Sequence, residues 1–422
     1  MKKTLLLVCA CAVLFAVAIL CTACSGDVRN VNLSRDSLNS ETWLEVEKNE
    51  TVKICIDAKV RAWETSLDKE ILGESCLKVR VPMLIGVSTI NVKFLDSDSS
   101  CKIKLAVGMK YLDFKKEEVL LGFRIPQGDY VDEEKLVSVT ATYLVDKYPV
   151  TNCEMAYFFR EEISSSSVMS DEKRKQKNVH TESDWKCDAH DYATRAYLYQ
   201  ALKYANARSI RDGLKPYYVF SRTDERKAQI LSEGRYIIEY EDLAHPKESR
   251  AEVSIDSSSD GYRLPYYDEW MMFARAGDKT KDAPWGDSAT LEDVLKYAKF
   301  EVKEVYEKDE RLKTGNVGLR LANEYGLYDM FGLVEEHVLL ERPDKFKYEW
   351  SGVLVHYGQH HRPFRNKGCK AKCPSYLKGG DIRDRWQDVN YGSYSREGIG
   401  GFRLIRNIGN NAKWTEVKSD KE

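Results

Sequence analysis

Between Trp43 and about Phe114, apolar side chains return at every second position. Val52, Ile54 and Ile56 alternate with Lys53, Cys55 and Asp57, and Val79 and Val81 alternate with Lys78 and Arg80. Ile90, Val92 and Phe94 repeat the pattern, followed by Ile103, Leu105 and Val107. Successive side chains of an extended strand point to opposite faces, so a period of two predicts half-buried strands and argues against helix. Polar runs such as Asp96 to Ser100 read as turns. The expectation is a small antiparallel sandwich over residues 41–120, with no chemistry of its own, serving as a spacer or partner-binding module.

The chain has 422 residues, enough for one large domain beside this small one. Its net charge is −2 with 31% charged residues, so no bulk positive field points to nucleic acid. The first 24 residues form an address. Lys2 and Lys3 precede an apolar run from Leu5 to Leu20, and Thr22-Ala23 lead into Cys24. The pattern resembles a bacterial lipoprotein signal, with Cys24 as the lipidated first residue of the mature chain. Cys21 stands where that pattern prefers Leu, and the alternatives are an uncleaved anchor or an ordinary secretory signal. Each implies export; the first implies a membrane-anchored lipoprotein, periplasmic or on the outer surface. Residues 25–40 are polar and read as a tether.

Of eleven cysteines, Cys55, Cys76, Cys101, Cys153, Cys187, Cys369 and Cys373 remain once the signal and Cys24 are set aside. An odd number outside the cytoplasm predicts at least one free thiol or an intermolecular bridge. Cys369 and Cys373 are spaced like half a zinc site, with His356, His360 and His361 upstream. No second pair at matching spacing accompanies them, so a loop disulfide or free thiols fit better than zinc.

Near Leu121 the character changes. Val137 to Val145 alternates as a strand, and Thr151 or Asn152 can cap a following helix by accepting its free N–H groups. Residues 164–184 and 222–252 are polar insertions. Asp191 to Asp212 reads as an amphipathic helix, and Tyr267 to Ala276 as a second. The stretch Lys378 to Arg406 opens with Gly379-Gly380 and closes with Gly400-Gly401-Phe402-Arg403. Its glycines suggest sharp turns or close backbone approach, and its arginines and rings suit a binding surface.

The motifs YPVTN, GYRLPYYDEW, APWGD, NEYGLYDMFGLVEEHV, KGG and GFR stand in the order and spacing of the formylglycine-generating enzyme (sulfatase-modifying factor) family, which this chain resembles from about Leu121 to Arg406. The resemblance implies an α+β, C-type lectin-like domain over residues 121–408, after the all-β sandwich and before a tail at 409–422. It also implies two copper-binding thiols, four and nine residues after the Gly pair. Here those positions are Asp384 and Val389, and no Cys follows Cys373. A carboxylate and a hydrocarbon do not hold Cu(I), so no copper is expected. The family's structural calcium falls on Asp329, Gly332 and Val334 (the latter two through carbonyls) and Glu336. Leu333 replaces the usual Asn, and Glu335-Glu336-His337 replaces Trp-Glu-Trp; the alternative is that Glu336 pairs with a nearby Arg. Arg263, Glu269 and Arg403 resemble the family's buried charged framework, and Trp270, Trp285, Tyr328 and Phe402 its core.

The leading functional expectation is a non-catalytic lipoprotein that binds a protein, peptide or glycan. Its contact residues would be Arg383, Asp384, Arg385, Trp386, Tyr391, Tyr394 and Arg396, where the enzymes bind substrate. In layout the chain resembles the variable proteins of diversity-generating retroelements. The alternatives are an enzyme using iron held by His356, His360, His361 and Asp384, and a structural protein of the envelope.

Overall fold

A computed structural model describes residues 28–121, 134–158, 191–221, 229–230, 236–237, 252–281, 283–286, 290–300, 315–339, 348–349, 375–378 and 399–417. The alternating segments form eight strands: β1 (Val28–Leu33), β2 (Glu41–Val46), β3 (Thr51–Ile56), β4 (Val60–Glu64), β5 (Lys69–Leu72), β6 (Cys76–Arg80), β7 (Gly86–Phe94) and β8 (Ser100–Val107). They make two four-stranded sheets, ordered β1-β3-β6-β5 and β2-β8-β7-β4. The inward positions Val52, Ile54, Leu77, Val79, Ile90, Val92, Ile103 and Leu105 are almost wholly buried between them. Cys55 and Cys76 oppose each other on β3 and β6 and are joined in a disulfide, while Cys101 is a buried free thiol.

Three sequence expectations change here. The sandwich is not purely antiparallel, because β1 runs parallel to β3 and β2 parallel to β8. The chain passes from one sheet to the other and back, which brings same-direction strands side by side. Within the stretch expected as a tether, residues 28–33 form β1. Only Val31 and Leu33 of β1 pack against the core, too short a pattern to read as a strand. The C-terminal boundary also moves. The next strand, β9 (Met109–Leu121), leaves the sandwich to pair with β10 (Lys135–Asp146) of the second domain.

The second domain continues with α1 (Asn152–Phe158), β11 (Ala196–Tyr197), α2 (Leu198–Arg211), β12 (Tyr218–Ser221), β13 (Gln229–Ile230), β14 (Tyr236–Ile237), β15 (Glu252–Ile255), α3 (Tyr267–Arg275) and α4 (Leu291–Tyr297). It closes with β16 (Glu336–Leu339), β17 (Tyr348–Glu349), β18 (Ser375–Lys378), β19 (Ile399–Gly400) and β20 (Ile405–Glu416). Residues 409–416, expected as tail, extend β20 along β10, where Trp414 pairs with Val139. The expected helix at 191–212 starts only at Leu198, because Ala196 and Tyr197 pair with Gly400 and Ile399. Helix α1 is capped by Thr151: its Oγ1 accepts the Glu154 N–H at 3.3 Å, and the Glu154 carboxylate accepts the Thr151 N–H at 2.9 Å.

The sandwich is fused to this domain, not strung from it. Leu84 and Ile85 enter the second domain's core beside Leu202, Ala205 and Phe402. Lys48 makes a buried ion pair with Glu154 at 3.2 Å, and Trp43 stacks on Tyr111 with ring centroids 5.7 Å apart. Among the described residues, no helix is long and apolar enough to cross a membrane.

Candidate functional site

The site residues expected at 383–396, with Val389, lie outside the described residues, as do Cys24, His356, His360, His361, Cys369 and Cys373. The structure instead shows the scaffold from which the 379–398 segment leaves and to which it returns. It departs from β18, which pairs antiparallel with β16, Lys378 opposite Glu336. It returns at β19, paired with β11.

Gly401 then passes against Val334 so closely that a Cβ on it would lie 2.5 Å from Val334 Cγ1. Its N–H donates to the Glu335 carbonyl at 2.7 Å, and its carbonyl accepts the His337 N–H at 2.9 Å. The closing glycine pair is thus a close backbone approach, as the sequence suggested.

Two residues further on, Arg403 is the centre of the scaffold. Its Nε donates to both Glu336 oxygens, at 3.0 and 2.8 Å, and its Nη2 to Oε1 at 2.7 Å. The remaining N–H groups reach the carbonyls of Asp146, Lys147 and Tyr328. Trp270 Nε1 donates to Glu336 Oε2 at 2.9 Å. One guanidinium therefore ties the end of β10, the 328 loop and β16 together, with α3 joined through Trp270.

A second buried pair lies alongside. Arg263 grips Glu269 through Nη1 and Nη2 at 2.7 and 2.8 Å. Glu269 also accepts from the Tyr143 hydroxyl and from the Tyr266 N–H at the start of α3. A third pair, Asp146 with Arg208 at 2.8 Å, is fully buried. Desolvated pairs of this kind, the first two bidentate, fix geometry more than they add stability.

The expected calcium ligands behave differently. Glu336 meets an arginine, the alternative left open above, and both of its oxygens are already engaged. The Gly332 carbonyl accepts the Val334 N–H at 2.6 Å. Leu333 sits with φ 61° and packs with Tyr148, Ala193 and Val317 where the family has Asn. Asp329, buried on the 328 loop, accepts the Gly318 N–H at 2.6 Å, and burial raises its carboxyl to about 6. As arranged, these residues do not fit a calcium site. At the copper positions, the side chains of Asp384 and Val389 do not fit that metal either.

Nothing in the sequence pattern marks His337 as functional. It is buried beneath the two anchoring strands, where its Nε2–H donates to the Ala196 carbonyl of β11 at 2.9 Å. A carbonyl only accepts, so the proton is on Nε2, and Nδ1 has no hydrogen-bond partner among the described residues. Burial lowers its pKa to about 4. His337 therefore links the strand pairs at both ends of the 379–398 segment.

Small sheets, four α-helices among the described residues and a framework of buried ion pairs define an α+β, C-type lectin-like domain of the formylglycine-generating type, behind an all-β module. A family model described as sulfatase-modifying factor enzyme 1-like domain matches residues 117–408, and the chain belongs to that family. It is 31% identical over 152 residues to the "Chaperone protein LppX" of Paenibacillus barcinonensis, a match that takes in 34% of this chain and about half (49%) of that relative. Among solved structures it is similar to Treponema denticola variable protein 1, at 19% identity and TM-score 0.42, over 75% of this chain and 99% of that one. It is also similar to CarF, at 19% identity and TM-score 0.40, over 71% of this chain and 98% of that one.

Proposed function

We propose that this chain is an exported, lipid-anchored binding protein that has kept the family's scaffold and lost its oxidase chemistry. The observation that carries the reading is Asp384 and Val389 at the positions of the paired thiols. Neither can act as a soft-metal ligand or a redox thiol. The buried Arg403–Glu336 pair is directed inward, at the residue that bridges Lys378 on one side and Gly401 on the other. Arg383, Asp384, Arg385, Trp386, Tyr391, Tyr394 and Arg396 then supply the contact surface, with ring and guanidinium groups as its anchors. The Paenibacillus relative is named as a chaperone, which favours a protein or peptide ligand over a glycan. Export is supported by the Cys55–Cys76 disulfide and by the disulfide-bonded state of Cys153, which belong to an oxidising compartment.

The test is a binding screen of the mature chain against surface proteins, unfolded polypeptides and glycans, repeated with the Trp386→Ala/Tyr391→Ala double variant. Binding lost in a variant that melts like the wild type supports the reading. Undiminished binding, or oxidation of a cysteine-containing sulfatase peptide by the wild type, overturns it.

A further inference from the structure

We propose that the outer face of the β1-β3-β6-β5 sheet lies against the anionic headgroups of the membrane that holds Cys24. The inference rests on the lipid-anchored reading above. Only Ser25, Gly26 and Asp27 separate Cys24 from the first strand residue, Val28. At roughly 3.3–3.6 Å per extended residue, the anchor cannot stand more than about 14 Å from β1. The sheet is therefore held at the lipid surface with no slack to lift it away.

The place where the chain enters gives the orientation. β1 is an edge strand, and Val28 aligns with Thr51 at the end of the sandwich that meets the second domain. Next to it, Arg29 donates to the Glu45 carbonyl at 2.9 Å and lies 3.6 Å from Glu50. The anchor thus emerges from the domain junction, at the edge of this particular sheet.

Charge separates the two sheets. On the anchored sheet Lys53, Lys78 and Arg80 take the outward parity against a single carboxylate, Glu70, while Arg29 and Lys69 take the inward parity and reach the Glu45 and Trp63 carbonyls. The other sheet is nearly balanced, with Arg61, Lys93, Lys102 and Lys104 against Glu41, Glu45 and Glu64. The period of two turns Val52, Ile54, Leu77 and Val79 inward, which leaves Lys53, Lys78 and Arg80 on the outer face. Lys53 stands opposite Lys78 in register, with Asn30 on its other side. Like charges directly opposed across a strand pair are unfavourable unless a counter-charge covers them. Glu70 reaches Lys78 at 3.2 Å, and anionic lipid headgroups supply the remainder. With Asn30, Asn32 and Thr51 between the cations, the face is built to rest on headgroups and not to insert.

The experiment is lysine acetylation, read by mass spectrometry, on the full acylated chain. The chain is placed first in detergent and then in vesicles of phosphatidylethanolamine and phosphatidylglycerol. Lys53 and Lys78 are expected to become several-fold less reactive in vesicles, with the protection lost at high salt. Lys115, on β9 in a different sheet and with its side chain 82% exposed, is expected to keep its reactivity. In an acylated Lys53→Glu/Arg80→Glu variant, Lys78 is expected to return to its detergent reactivity. An acylated Cys24 with Lys53 and Lys78 unprotected overturns the inference alone. An unacylated Cys24 in the N-terminal peptide overturns the lipid-anchored reading and the inference with it.

Discussion

Arg403 meets Glu336 through Nε and Nη2 with both side chains almost fully buried, and the carboxylate takes a further hydrogen bond from Trp270. The pair stands between the two strands that bracket the 379–398 segment, so its integrity and the position of the contact surface are linked. Removing one partner leaves an uncompensated buried charge, whereas removing both does not. Glu336→Ala is expected to cost about 3–5 kcal/mol in urea unfolding. Glu336→Leu/Arg403→Met is expected to recover a large part of that loss. Equal losses in the single and double variants would show that the pair acts only by packing.

Because Glu336 already has its cation, chelation is the next test. Excess EDTA is expected to leave the thermal midpoint unchanged, and added calcium to leave it unchanged as well. A midpoint that rises with calcium concentration would restore the family's metal site, through the linkage of binding to folding.

His337 and Asp329 give opposite contributions to acid stability. His337 is pulled from its ordinary 6.5 to about 4, so the folded chain binds fewer protons than the unfolded one between those values. Its contribution is present above pH 6.5 and lost as pH falls toward 4. Asp329 is raised from 3.8 to about 6, so it favours the folded state below pH 4 and loses that advantage as pH rises to 6. His337→Gln keeps a donor for the Ala196 carbonyl but cannot titrate. In denaturant titrations from pH 7 to 4 it is expected to lose less stability than the wild type, and Asp329→Asn to lose more. Parallel curves for all three would contradict the burial of these groups.

Gly401→Ala places a methyl 2.5 Å from Val334 Cγ1, and backbone hydrogen bonds to Glu335 and His337 hold Gly401 in place against it. A cost of about 1–3 kcal/mol is expected, with weakened ligand binding. Val334→Ala in the same chain removes the clash and is expected to return part of both. Binding untouched by Gly401→Ala would separate the anchor from the contact surface.

The sequence by itself determined which side chains are interior in the sandwich, since Val52, Ile54, Ile90 and Ile103 carry their placement in a period of two. It also determined the family of the second domain, through motifs in register, and the loss of the thiol pair, which is a matter of residue type alone. The α3 helix was legible too, as was the close approach at the Gly400-Gly401 pair. Only the tertiary structure decided what depends on partners far apart in the chain. That Glu336 pairs with Arg403 turns on two side chains 67 positions apart. The role of His337 turns on the Ala196 carbonyl, 141 positions away. Strand β1 was hidden because an edge strand buries few side chains, and the end of β20 because its partner β10 lies at the other end of the domain. Local pattern encodes burial; electrostatic pairing and strand neighbours are set by long-range packing, which one-dimensional periodicity does not contain.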